Sequence, residues 1–376
     1  MSSSSSSSGA TSCIAPRDDG QAQQAIPIIA PDEDGRAKDL VSVFLAGSIA
    51  MGSAPNWQEK ITPMLSHLPI AIYNPRRGGE FKWDEKDTDI INQQIEWEHK
   101  HLDASSIIAM FLSEKSPAPI SLLELGLFAR TRKLIVCCEK DFYRLGLVKR
   151  VCEDHQIMLV HEVEDLAKEV EKKATEIIDS GTSTVKKGQE DTRAQEELRH
   201  EIFLAGSISG GEPPEWQKGI TEMLSDVLSI AELGPGRSSE LEQRLDHVVQ
   251  TEIEVEREID GKMGIRRENK IRTDIYDATF KEQFDWENKY LWNSSIIAMF
   301  LSDKNQMKEG PIILLELGLL AATRTPRLIV LCEDFYRTPN VQWVCKEYKI
   351  TMVRTREDLV KKVNERAKEI KSGRKD

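Results

Sequence analysis

From residue 41 onward the chain alternates short, fully apolar runs with longer segments whose apolar positions return every three or four residues. Val41–Leu45 is β-rich and ends in Ala46-Gly47-Ser48, and Trp57–Leu68 has helical spacing. A strand at Ile70–Tyr73 follows, then a helix over Glu96–Leu102 and a wholly apolar strand, Ile107–Leu112. Pro119 precedes a helix from about Ser121 to Thr131, Lys133–Cys138 reads as another buried strand, and Ile157–Val160 with the charged helix Val163–Ile177 completes the unit. Apolar strands alternating with helices predict an α/β fold whose parallel sheet is covered on both faces. Ligands of such sheets bind in the loops beyond the carboxyl ends of the strands.

The same pattern then returns. VFLAGSIAMGSAPNWQEKITPMLS, starting at Val43, reappears from Ile202 as IFLAGSISGGEPPEWQKGITEMLS, an offset of 159 residues. SSIIAMFLS stands at both Ser105–Ser113 and Ser294–Ser302, and PISLLELG at Pro119–Gly126 becomes PIILLELG at Pro311–Gly318, where the offset has grown to 192. Most of that growth lies between Ser238 and Thr279, around the charged stretch EREIDGKMGIRRENKIR. A repeat longer than about 100 residues points to domain duplication rather than a solenoid. The expected organisation is a disordered tail over 1–38, a first domain over 39–175, a linker or solvated helix extension over 176–199, and a second domain over 200–376 with its charged insertion at about 239–278.

Composition narrows the function. With 39% hydrophobic and 30% charged residues the chain has the profile of a soluble protein. A net charge of −12 argues against binding to nucleic-acid polymers or anionic membranes. The six cysteines, Cys13, Cys137, Cys138, Cys152, Cys332 and Cys345, lack paired zinc-type spacing and read as buried free thiols of a reducing compartment. The serine-rich start lacks the charged and apolar regions of a secretory signal, and the strongly apolar stretch Ile312–Ala322 is too short to span a bilayer, so a cytoplasmic protein is expected. The Ala46-Gly47-Ser48-Ile49 turn could admit a ligand at Gly47 and Ser48, or be a tight turn only; it has neither the dinucleotide-binding nor the Walker spacing. No cofactor is expected. His99 and His101 flank Glu98 without a third ligand, so no metal is assigned.

The sharper signal is a pair of carboxylates. Glu98, in IEWEHKHLD, precedes the strand Ile107–Leu112, and Glu124 interrupts the apolar start of the helix after it. A buried carboxylate costs several kcal/mol without compensation. A first-turn position in the helix would compensate Glu124 and keep it ionised, suiting it to attack an anomeric carbon, with Glu98 assisting at the sugar or with a proton. A solvent-facing first-turn acid is the alternative. Glu316 and Glu287 occupy the same frames in the second repeat.

FLAGSI, NPRR, QIEWE, LLELG and FYR, in this order, resemble the nucleoside 2-deoxyribosyltransferase family over nearly all of each repeat. The resemblance implies two tandem flavodoxin-like, Rossmann-like domains with about five parallel strands each. It also implies a Glu124 nucleophile, assistance from Glu98, a covalent deoxyribosyl-enzyme intermediate and a nucleobase as acceptor. Related hydrolases of deoxynucleoside monophosphates let water accept the sugar, and a duplicated fold that only binds nucleotides is a further alternative. Partners would be a small nucleoside or nucleotide and a nucleobase.

The repeats differ in what they retain. The first keeps Asn74-Pro75-Arg76-Arg77, where an amide and two guanidinium groups could read a base or an anionic group; the second has Leu233-Gly234-Pro235-Gly236-Arg237. The second keeps Asn340 after its FYR, which the first lacks. Members of the family assemble so that a neighbouring subunit lends such an Asn. The tandem chain would then mimic a dimer internally, completing a site of Asn74, Arg76, Arg77, Glu98 and Glu124 with Asn340, while the reciprocal site around Glu316 is weak or dead. A further homo-oligomer is left open. Trp83, with Phe81, follows NPRR in a polar loop and would stack on the base; Trp57, Trp97, Trp216 and Trp286 read mainly as core.

Overall fold

The computed structural model describes residues 24–33, 37, 39–49, 54–78, 87–181, 199–206, 215–224, 229–230, 252–259, 262–269, 289–302 and 310–372. The first repeat runs β1 (Ile26–Ile29), β2 (Val41–Gly47), α1 (Trp57–Leu65), β3 (Ile70–Asn74), α2 (Thr88–Ala104), β4 (Ile107–Leu112), α3 (Pro119–Phe128), β5 (Leu134–Cys138), α4 (Leu145–Asp154), β6 (Met158–Val160) and α5 (Val163–Asp179). The second contributes β7 (Arg199–Gly206), α6 (Glu215–Leu224), β8 (Ser229–Ile230), the hairpin β9 (Glu252–Ile259) and β10 (Lys262–Asn269), β11 (Ser294–Ser302), α7 (Gly310–Ala322), β12 (Leu328–Glu333), α8 (Thr338–Glu347), β13 (Thr351–Val353) and α9 (Arg356–Lys371).

The first sheet has six parallel strands in the order β1-β3-β2-β4-β5-β6, and the second has five in the order β13-β12-β11-β7-β8. Apart from β1 the two orders are the same, each a doubly wound sheet whose direction of travel reverses between its first and third core strands. In the first repeat that reversal lies between β2 and β4.

Three apolar clusters build the layers. One joins α1 and α5 to the outer face of the first sheet, and another joins α6 and α9 to the second. The third is shared: α2, α3 and α4 meet α7 and α8 in a single core that draws on both sheets. The amino-acid sequence explains this position for α3 and α7. Helices apolar all round, as PISLLELGLF and GPIILLELGLLAA are apart from one glutamate each, need cover on every side. Each has a sheet behind it and the other helix in front, and the two cross at Gly126 and Gly318.

One sequence expectation changes. The tail expected over 1–38 contains β1, which pairs with β3 from Ile26↔Ala71 to Ile29↔Asn74 and makes the sheet six-stranded rather than five-stranded. Pro27 lacks a donor but is tolerated there, because β1 is an edge strand. Within the span 176–199 α5 runs on through Asp179, in line with the helix-extension alternative, and β7 begins at Arg199. Part of the charged insertion forms the antiparallel β9–β10 hairpin. Cys137, Cys138, Cys152, Cys332 and Cys345 are buried and free, as expected, and burial raises the thiol pKa of the first three and of Cys345. Among the described residues no helix is long and apolar enough to cross a membrane.

Candidate active site

The carboxyl ends of β2 and β4 form the floor of the site. Gly47 ends β2 at φ +132°, and a Cβ there would lie 2.2 Å from Phe111 O on β4. Ser48, 1% exposed, donates its N–H to Phe111 O (2.8 Å) and accepts from Ser113 N–H on its Oγ (3.0 Å). These contacts account for both residues as stitching between β2 and β4.

Glu98 sits on α2 and Glu124 on α3, the helices flanking β4. Glu124 is 5% exposed. It is the sixth residue of α3, and the first turn of that helix holds no acid, so the expectation of a first-turn carboxylate kept ionised by the helix end is not met. The partial charge of a helix end fades beyond its first turn. Burial, followed by the charge of Glu98, instead pushes Glu124 well above the usual carboxylate range. Glu98 is raised to about 7, first by burial; the Gln94 hydrogen bond and then the charges of Arg337 and Arg77 pull it down. Each carboxyl therefore favours its protonated form more than a free one does, and the charge of Glu98 adds to that at Glu124.

The NPRR segment supports Glu98 through an intermediary absent from the sequence-based site, Gln94. This amide is 4% exposed; it accepts from Arg77 Nε (2.8 Å) and donates to Pro75 O (2.8 Å) and to Glu98 Oε1 (2.9 Å). Arg77 also donates from Nη2 to Gln93 Oε1 (2.8 Å). Arg76 donates from Nη2 to Ala54 O (2.9 Å) and Pro55 O (3.1 Å), holding the β2–α1 loop, and Asn74 Oδ1 accepts from Arg76 N–H at 3.0 Å. Much of the donor capacity expected to read a base or an anion is therefore spent on protein acceptors. The one cue to Gln94 in the sequence was its place four residues before Glu98, on the same helix face.

The second repeat reaches this site through α8. Trp343 stacks on His99 of α2 with centroids 3.5 Å apart and planes at 5°. Burial drives the pKa of His99 down to about 3, so this imidazole is neutral in the stack. Asn340, on the same helix, is 7% exposed, and Arg337 immediately precedes that helix. Trp97 belongs to the core: its Nε1 donates to Asp32 O at 2.8 Å and its ring packs on His101 and Tyr73. Trp57 and Trp216 pack likewise, on Phe111 and Phe300. Glu316 is half-buried in α7. Trp83, Phe81, Trp286 and Glu287 lie outside the described residues.

Residues 40–142 match the model of the family described as nucleoside 2-deoxyribosyltransferase like. A comparison with curated proteins finds no match to the chain. The matched segment carries β2 to β5 and both carboxylates of the pair, and it is over this segment that the chain is similar to the family.

Proposed function

We propose that the chain is an N-glycosyl transferase that cleaves the N-glycosidic bond of a (deoxy)nucleoside through a covalent glycosyl-Glu124 intermediate and passes the sugar to another nucleobase. The observation that carries this reading is the placement of Glu124, 5% exposed on the apolar helix α3, and of Glu98, hydrogen-bonded to Gln94 on α2, on the two helices that flank β4 at the reversal point of the sheet. A buried acid on an otherwise apolar helix destabilises the fold. Chemistry explains its presence better than packing does.

Burial and the charge of Glu98 favour the protonated form of Glu124 at rest; the productive form arises when that proton passes to Glu98 and leaves Glu124 ionised. A carboxylate oxygen of Glu124 attacks the anomeric carbon, the C–N bond breaks with its electron pair leaving on the base, and Glu98 protonates that nitrogen. In the second half an incoming base attacks the same carbon, gives its proton to Glu98, and Glu124 leaves as the carboxylate. Double displacement retains the anomeric configuration. Gln94 orients Glu98, and the NPRR loop orients Gln94.

The repeats act as an internal pseudo-dimer of two flavodoxin-like domains in a cytoplasmic protein. Asn340 completes the first repeat's site, and the second repeat's own site is weak or dead. Supporting this is the shared core, which brings α8 against α2.

The test is incubation of the full chain with a panel of deoxynucleosides and their monophosphates, with and without a second free base, followed by chromatographic separation. A new nucleoside that is absent with Glu124→Ala supports transfer. Free base with free sugar identifies a hydrolase acting on a nucleoside or its 5′-monophosphate. No product from any substrate overturns the enzyme reading in favour of a nucleotide-binding module.

A further inference from the structure

α3 starts at the carboxyl-end edge of β4 with two main-chain donors unanswered. Its N-cap, Ala118, provides no side-chain cap, Pro119 has no N–H, and Leu122 is the first residue of the helix with a main-chain acceptor, Ala118 O at 3.0 Å. Among the described residues the N–H groups of Ile120 and Ser121 have no acceptor, and they stand where the partial positive charge of a helix start is concentrated. Ser121 adds a third donor. It is 5% exposed, and its hydroxyl has no hydrogen bond among the described residues. A helical serine commonly bonds the carbonyl one turn back. Here that carbonyl, Pro117 O, already accepts from Tyr143 Oη at 3.1 Å. Helical side chains lean toward the helix start, which turns the Ser121 hydroxyl toward the two free N–H groups.

The position of Ser121 round the helix sets it beside Glu124 and away from the seam. Gly126 faces α7, and at 3.6 residues per turn Ser121 and Glu124 both lie about 140–160° round α3 from it. They share the opposite side, roughly 4.5 Å apart along the axis. The second repeat has Ile313 in place of Ser121, 3% exposed, so α7 lacks the hydroxyl.

We propose that the start of α3 is a phosphate seat, where Ser121 Oγ and the N–H groups of Ile120 and Ser121 hold the 5′-phosphate of a (deoxy)nucleoside monophosphate whose C1′ lies at Glu124. Two N–H donors, a hydroxyl and the positive end of a helix select an oxyanion. Left unanswered, buried donors destabilise the fold, whereas phosphate oxygens satisfy all three. The pentose separates its 5′ group from C1′, matching the one-turn offset between the helix start and Glu124 and keeping the anion off that carboxyl. Anion recognition, expected of Arg76 and Arg77, passes to α3, because those guanidinium groups serve Ala54 O, Pro55 O, Gln93 and Gln94. The seat names the substrate class of the proposed function and rests on it for the place of C1′.

The experiment is calorimetric titration of the full chain in a Glu124→Gln background, so that nothing is consumed, with deoxynucleoside 5′-monophosphates and the matching deoxynucleosides. Ser121→Ala and Ser121→Thr are added to that background, and near-ultraviolet circular dichroism checks the fold of each. The monophosphate is expected to bind at least about tenfold more tightly than its nucleoside, as for charge-assisted hydrogen bonds. Ser121→Ala should remove most of that preference without moving nucleoside affinity, and Ser121→Thr, which keeps the hydroxyl, should retain it. The absence of any preference, or a preference kept in full by folded Ser121→Ala, overturns the inference. A Ser121-dependent preference in a chain that forms no product from any substrate leaves the seat standing and removes the enzyme reading. Turnover of nucleosides with no preference for phosphate does the reverse.

Discussion

Gly126 and Gly318 face each other where α3 and α7 cross, so near that a Cβ on Gly126 would lie 2.4 Å from Leu315 O and one on Gly318 2.3 Å from Leu123 O. The LLELG motif thereby has two uses. Its glutamate belongs to the proposed chemistry, and its glycine lets the helices of the two repeats approach backbone to backbone. The opposing atoms are main chain, so they cannot yield as a flexible side chain would.

Gly126→Ala or Gly318→Ala should therefore destabilise the chain by about 1–3 kcal/mol, even though alanine is the better helix former. Chemical denaturation of each variant checks this. Unchanged stability in both would show that the crossing is looser than described.

Asn340→Ala should leave the fold intact and lower turnover by an order of magnitude or more, as expected for loss of a group at the reacting sugar. Equal turnover in a folded variant would restrict the site to the first repeat.

Trp343→Ala removes the partner of His99 and should cost roughly 1–3 kcal/mol. It should also lower kcat, because Asn340 is carried by the same helix. A loss of stability with full kcat would separate docking from the site.

Stability against pH follows from the folded-state pKa of Glu98, about 7 against 4.5 for the free group. Between those values the folded chain binds more protons than the unfolded one, so the contribution of this group falls as pH rises through that window. Wild type should lose stability relative to Glu98→Gln from about pH 5 to pH 7. Melting temperatures of the pair measured across that range check the sign; a constant difference would contradict the raised pKa.

Much of the fold was legible because β2, β3, β4, β5, β11 and β12 are almost wholly buried and most of the described helices are amphipathic. β4 matches its sequence-predicted bounds, Ile107–Leu112, and β2, β3 and β5 differ by a residue or two at their ends. β1 was hidden by its length, by Pro27 and by the polar tail before it. α4 was hidden because it has no side-chain cap and carries a poor helix former, Gly146, in its first turn, although Leu147, Val148, Val151 and Cys152 have apolar helical spacing. Both carboxylates were legible as acids in apolar frames. Their electrostatics were not, since the place of Glu124 in α3 depends on where that helix starts. Gln94 was missed for a related reason: it acts through hydrogen bonds to a distant loop.

The central claim is that Glu124 carries the sugar. Wild-type chain and Glu124→Gln should be mixed with a deoxynucleoside substrate identified in the panel, quenched in acid during turnover, and digested for peptide mass measurement. The account predicts a wild-type peptide containing Glu124 heavier by one deoxyribosyl group, and no such peptide from the variant. Turnover without that adduct, or an adduct that persists in Glu124→Gln, would contradict it.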